Sequence, residues 1–135
     1  GAAMGAALAL KGSGRIAVNL QGDGDLLYTP SGLWTAANQR LALLTVVLNN
    51  RSYYEDEDHQ QRVAQARGRP VDRAGIGTRI TDPDVDFAAL ARSMGVVGIG
   101  PVERPEELPA ALDEAVRVVA EQQRPVLVDV VTQPR

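Results

Sequence analysis

The sequence predicts an α/β domain: a three-layer sandwich with a mostly parallel sheet covered by helices on both faces. Three observations carry that expectation. Continuous apolar runs at residues 16–20, 43–48 and 125–131 have the length of strands and lack the alternation of half-exposed ones, as parallel strands buried on both faces do. Segments with apolar residues at helical spacing lie between the runs, a pattern that stacks helices on a sheet. The 24 residues separating Gly24 from Asn49 suffice for the crossover that joins two parallel strands.

Each element has its own warrant. Residues 1–10 (GAAMGAALAL) are dense in helix-forming Ala and Leu and stop at Lys11, Gly12, Ser13 and Gly14. Gly1 and Gly5 share one face of that helix and let a neighbouring backbone approach. The first strand, residues 16–20, runs into Gly22-Asp23-Gly24. Thr29-Pro30 then predicts a helix start, with Thr as cap and Pro at the first helical position. Leu33, Ala37 and Leu41 continue it, and Trp34 beside them reads as core. The second strand follows at residues 43–48.

Residues 51–68 are polar. Glu55, Asp56, Glu57 and Asp58 followed by His59 suggest either a metal cluster or a helix whose acidic first turn complements the macrodipole, with Arg62 and Arg67 further on. The helix is the favoured reading. His59 is the only histidine, a poor acid–base candidate and a poorer lone metal ligand. Residues 68–83 form a long connection rich in Gly and Pro, of the kind that is often functional or mobile. Phe87, Leu90, Ala91 and Met94 predict a helix capped by Asp84 or Asp86 and closed by Gly95. Residues 96–100 form a third strand. Leu108, Ala111, Leu112, Ala115 and Val119 form a helix with Pro109 near its first turn. The last strand is residues 125–131.

Composition narrows the function. The 135 residues, 44% of them apolar, make one ordinary core in one domain. A net charge of -3 and a pI near 5.1 argue against nucleic acid or anionic membrane as partners. With no cysteine, disulfides and thiolate metal sites are excluded, a composition compatible with a cytoplasmic protein. Oxygen ligands remain for a metal. The chain opens at Gly1 inside an apolar small-residue run, without a basic leader and well short of the roughly 20 residues of a membrane span. It reads as a piece of something longer.

The candidate site is at the carboxyl ends of the first two strands. Open α/β sheets bind ligands at that edge, and adjacent strands about 4.8 Å apart bring their terminal residues to one ion. Magnesium takes near-octahedral oxygen from carboxylate, neutral oxygens and phosphate. Asp23 supplies the charge and Asn50 a neutral carbonyl oxygen, while Gly22 and Gly24 let the backbone turn sharply beside phosphate.

Gly-Asp-Gly, some two dozen residues containing a helix, then an apolar strand ending Asn-Asn resembles the signature of thiamine-diphosphate-dependent enzymes. From the small-residue helix to the closing PVLVDV strand, nearly the whole chain resembles their carboxy-terminal, diphosphate-binding domain in the acetolactate synthase / pyruvate decarboxylase group. The resemblance implies a thiamine-diphosphate-binding fold lacking its first strand and glycine-rich loop, with residues 1–135 a fragment of a longer chain. It implies thiamine diphosphate and Mg2+ as cofactors, with Asp23, the Asn50 side chain and the Ser52 backbone carbonyl as metal ligands. Gly22, Gly24 and Asp25 would lie at the diphosphate, and Tyr53 would begin the segment covering the cofactor. Asp25 departs from the small or hydroxyl residue often found there, and its charge would repel diphosphate unless it turns away or pairs with a cation.

No catalytic residue is expected within the chain. The family's activating glutamate lies on a separate pyrimidine-binding domain, so this chain alone is expected to be inactive. The implied enzyme is a lyase or transferase that cleaves or forms carbon–carbon bonds beside the carbonyl of a 2-oxo acid, as a cytoplasmic homodimer or homotetramer. An acetolactate synthase-like carboligase is the first reading, since the NNRSYYEDEDHQ segment looks most like that branch. A decarboxylase of the benzoylformate or pyruvate type is the alternative. From another class, a non-catalytic phosphate- or nucleotide-binding module would also fit an α/β frame. However, neither the G-x-G-x-x-G fingerprint nor a lysine-bearing P-loop is present, and the only lysine is Lys11.

Overall fold

A computed structural model describes residues 1–132; the expected domain bound at 135 lies outside the described residues. Four strands form one sheet in the order β1-β2-β4-β3: β1 (Ala17–Gly22), β2 (Leu43–Asn49), β3 (Val97–Val102) and β4 (Val126–Val131). All three pairings are parallel. The helices are α1 (Ala2–Ala9), α2 (Asp23–Tyr28), α3 (Gly32–Asn38), α4 (Tyr54–Ala66), α5 (Phe87–Ser93) and α6 (Leu108–Gln122).

Alternation along the strands sorts the core into two sides, because successive side chains of a strand face opposite ways. Leu44, Val46, Val126 and Val128 pack on Ala115, Val118 and Val119 of α6. On the other side Val47 and Leu127 meet Leu26 of α2, Leu33 of α3, and Phe87 and Ala91 of α5. Ala17 and Leu43 continue that side under Ala7 of α1 and Ala36 of α3. Helix, sheet, helix: the expected three layers form. Phe87, Val47 and Leu127 are fully buried, and burying each contributes about 1.5–3 kcal/mol.

The expected helix at Tyr54–Ala66 forms, with Glu55, Asp56 and Glu57 in its first turn and an Asp58–Arg62 ion pair one turn apart. Of the two candidate caps for α5, Asp86 takes the role, accepting from the Ala89 N–H at 2.7 Å. Asp84 instead faces Arg51 at 3.2 Å. Gly95 closes that segment at φ +83°. The connection at 68–83 is tied to the site loop by an antiparallel bridge between Ser52 and Arg79.

Three details differ from the expectation. Trp34 is 58% exposed: α3 is only seven residues long, and it spends its sheet-facing side on Leu33 and Ala36. Thr29 does not cap a helix at Pro30, since α3 begins at Gly32 after Ser31, with no side-chain cap bond. Asp23 and Gly24 do not form a free turn. They open α2, a helix hidden in the sequence by the three helix-disfavouring residues of its first turn, Asp23, Gly24 and Asp25.

Candidate metal and diphosphate site

β1 and β2 run side by side, with Gly22 opposite Leu48, so Asp23 and Asn49 emerge from neighbouring strands at the carboxyl edge. Asp23 is 2% exposed, and its Oδ2 has no hydrogen-bond partner. Burial pushes its carboxyl above the ordinary aspartate range, partly offset by nearby backbone N–H groups including those of Gly24, Arg51 and Ser52. Those last two neighbours place Asp23 directly against the loop that leaves β2.

That loop is held at fixed points. The Asn49 carbonyl accepts from Thr132 at 2.9 Å, and the Arg51 carbonyl accepts from Ile80 at 2.8 Å. The Tyr53 N–H donates to the Thr78 carbonyl at 2.8 Å. Arg51 sits at φ 58°, a left-handed conformation that a side chain adopts only where its surroundings impose it. A trans peptide plane points its carbonyl and its N–H in opposite directions. Because Tyr53 N–H faces Thr78, the Ser52 carbonyl faces away from that partner segment. Because the Arg51 carbonyl faces Ile80, the Ser52 N–H also turns away, and it donates to Asn50 Oδ1 at 3.0 Å.

Asp23 thus lies against the backbone of the loop that carries Asn50 and Ser52. Among the described residues no three His, Cys, Asp or Glu side chains gather as a metal cluster. A cation here has one carboxylate and neutral oxygens available, the donor set a hard ion such as Mg2+ accepts. The orphaned Oδ2 of Asp23 supports that fit: a buried carboxylate oxygen without a donor is costly unless a cation meets it.

Gly24 is buried against the Tyr53 ring. A Cβ there would lie 2.6 Å from Tyr53 Cδ1, so only glycine lets the ring close on the start of α2. Tyr53 in turn packs at 5.7 Å between ring centroids against the exposed Tyr28. Desolvation, then the charges of Tyr28, Asp23, Asp25 and Asp56, hold the Tyr53 phenol above its ordinary range. Gly22 precedes Asp23 in extended conformation. Asp25 is exposed and lines a cavity of about 500 Å³ beside α1, with Asn19, Gln21 and Thr45 on its floor.

His59 stands apart, exposed on α4 in a shallow groove with Arg67 and Arg69. Sequence reasoning passed over Asn49 and Asp129. Asn49 Nδ2 donates to Asp129 Oδ1 at 3.0 Å, and the Phe87 N–H donates to Asp129 Oδ2 at 3.2 Å. The available signal was the single charge in the apolar run VLVDVV.

Comparison with known proteins places the chain in a family. Residues 1–130 match the family model described as "Thiamine pyrophosphate enzyme, C-terminal TPP binding domain". The chain is 36% identical over 130 residues to the "Putative acetolactate synthase large subunit IlvX" of Mycobacterium tuberculosis, covering 96% of this chain and 24% of that protein. It is 34% identical over 119 residues to benzoylformate decarboxylase of Pseudomonas aeruginosa, covering 88% and 20%. The chain thus spans a quarter or less of the length of these curated relatives. Among solved structures, a thiamine diphosphate-dependent 4-hydroxybenzoylformate decarboxylase of Rhodococcus jostii RHA1 superposes with a TM-score of 0.71 at 26% identity, over 98% of this chain and 22% of that one. Benzoylformate decarboxylase of Polynucleobacter necessarius shares the fold, with a TM-score of 0.72 at 23% identity over 99% of this chain and 23% of that one.

Proposed function

The chain belongs to the thiamine pyrophosphate enzyme family, as its C-terminal TPP-binding domain, and from that premise we propose that the β1–β2 edge is its Mg2+ and diphosphate anchor. In this reading Asp23, the Asn50 side-chain oxygen and the Ser52 carbonyl hold the metal. Gly22 and Gly24 lie at the diphosphate, and Tyr53 shields it from water. Asp25, exposed at the start of α2, is free to turn its charge outward. The single observation that carries the reading is the buried Asp23 Oδ2 with no donor, beside the backbone of the loop that carries Asn50 and Ser52.

When bound, thiamine diphosphate supplies the carbanion chemistry. This chain's own residues bind, orient and desolvate. The whole enzyme would be a lyase or transferase acting on a 2-oxo acid, completed by a pyrimidine-binding domain carrying the activating glutamate and assembled as a homodimer or homotetramer in the cytoplasm. Among the described residues no helix is long and apolar enough to cross a membrane. Acetolactate synthase-like carboligation is the first reading and decarboxylation of the benzoylformate or pyruvate type the second. Both kinds of protein stand among the relatives.

Calorimetry on the full-length protein tests the anchor. Thiamine diphosphate is expected to bind only with Mg2+, and Asp23→Ala is expected to abolish that binding; unchanged affinity in the variant would sink the assignment. Incubation with pyruvate separates the two chemistries, acetolactate marking the carboligase and acetaldehyde the decarboxylase.

A further inference from the structure

Asp129 hydrogen-bonds to Asn49 and Phe87 rather than to Asn50 or Ser52, yet it occupies the junction on which their loop depends. It is 1% exposed and sits in β4 opposite Val47 of β2. Its two oxygens tie two elements together: Oδ1 accepts from Asn49 at the last position of β2, and Oδ2 accepts from the first N–H of α5. β3 packs closely on Asp129. A Cβ on Gly100 would lie 2.6 Å from the Asp129 carbonyl and 3.2 Å from its Cβ. On the α5 side, Gly98 presses so closely on Ala88 that a Cβ would run into the Ala88 carbonyl. A carboxylate gripped in this way is a fixed point rather than an adaptable one.

Asn49 is itself buried, and it is the residue immediately before Asn50. Its carbonyl is fixed by Thr132 and its side chain by Asp129. With backbone and side chain both held, the direction in which Asn50 leaves the sheet is set before the left-handed step at Arg51 redirects the chain.

We infer that Asp129 is a positioning residue for the metal anchor, acting through Asn49 to set the direction of Asn50. The inference rests on the metal reading proposed above. It goes beyond that reading by placing part of the site's precision in a buried carboxylate on a third strand. Partners of this outer kind typically contribute 10- to 100-fold to metal affinity.

A double-mutant cycle on Mg2+ affinity tests it, using full-length protein, saturating thiamine diphosphate and calorimetric titration of Mg2+. Asp129→Ala is expected to weaken Mg2+ binding about 10-fold. In an Asn49→Ala background the same change is expected to add less than about twofold, because its route to Asn50 is already cut. General loosening of the domain would instead carry the full loss into both backgrounds. An Asp129→Ala affinity within about twofold of wild type, or an undiminished loss in the Asn49→Ala background, overturns the inference. Where Asp129→Ala does not fold, Asp129→Asn keeps an acceptor for Phe87 while setting an amide against Asn49, and it is read by the same two outcomes. Wild-type protein that shows no Mg2+-dependent binding would overturn the metal reading itself, and this inference with it. Failure of the cycle alone leaves that reading standing.

Discussion

Asp23 at the end of β1 and Asp129 in β4 are buried almost equally, 2% and 1% exposed, but they are treated differently by the fold. Both of Asp129's oxygens accept hydrogen bonds within the chain. Asp23 keeps one oxygen without a donor. In both, burial pushes the carboxyl above the ordinary aspartate range; for Asp129 the bonds from Asn49 and Phe87 act against the rise. Taking a carboxylate out of water costs several kcal/mol unless it is paired. At Asp129 that cost is offset in part by hydrogen bonds on both oxygens, which join β2, β4 and α5. At Asp23 one oxygen is left with no donor, and that oxygen is available to a cation. The comparison separates a carboxylate that builds the domain from one that the domain holds ready.

Truncation should drive the stability of the cofactor-free protein in opposite directions at the two sites. Asp129→Ala strands the buried Asn49 amide and the Phe87 N–H, and should cost about 2–4 kcal/mol in urea unfolding. Asp23→Asn removes an under-compensated charge and should leave the cofactor-free protein as stable or raise it by about 1 kcal/mol. Equal destabilisation by both substitutions would erase the distinction.

Acid–base linkage acts at both carboxyls. A carboxyl whose folded pKa is raised binds its proton more tightly in the folded state. Its contribution to stability is full below the unfolded-state value and is lost as pH rises through the folded one. Stability of the metal-free protein, followed by urea unfolding from acid toward neutral pH, should therefore carry a falling component from each of Asp23 and Asp129. Asp23→Asn should remove its own share, which Mg2+ with thiamine diphosphate should reverse, and leave the share of Asp129 in place. An identical pH profile in the variant would mean that Asp23 is not the group responsible.

Smaller effects map the surroundings. Gly24→Ala should displace the Tyr53 ring, costing about 1–3 kcal/mol as overpacking does and changing the tyrosine fluorescence. An unchanged spectrum and melting temperature would remove Tyr53 from the site. The acidic run on α4 is the negative control. Asp58→Asn breaks an Asp58–Arg62 pair in which the arginine is largely exposed, and should shift stability by less than about 0.5 kcal/mol. A larger loss, or any effect on Mg2+ affinity, would show the run to be more than a solvated helix face.

Much of this was legible in the sequence because it rests on local rules. Continuous apolar runs gave the strands. The crossover length gave the parallel pairing that brings Asp23 beside Asn49. What could not be read depends on the chain's three-dimensional company. Trp34 follows the helical pattern of its neighbours, but a seven-residue helix that turns Leu33 and Ala36 to the core leaves it exposed. The start of α2 at Asp23 was masked by glycine and aspartate, which disfavour helices in isolation. The link from Asp129 to Asn49 spans 80 positions, and no spacing rule connects them. The Ser52 carbonyl came from resemblance to the family, and its orientation follows only once Thr78 and Ile80 are seen to hold the flanking peptides.

The most direct test of the account is a Mg2+ titration of full-length wild-type and Asp23→Asn protein at fixed thiamine diphosphate, with the melting temperature of each recorded without metal. The account predicts an affinity loss of about 100-fold or more in the variant, with a melting temperature equal to or above that of wild type. Wild-type affinity in the variant, or an affinity loss accompanied by a matching collapse of the fold, would contradict the claim that this buried carboxylate is kept for a metal.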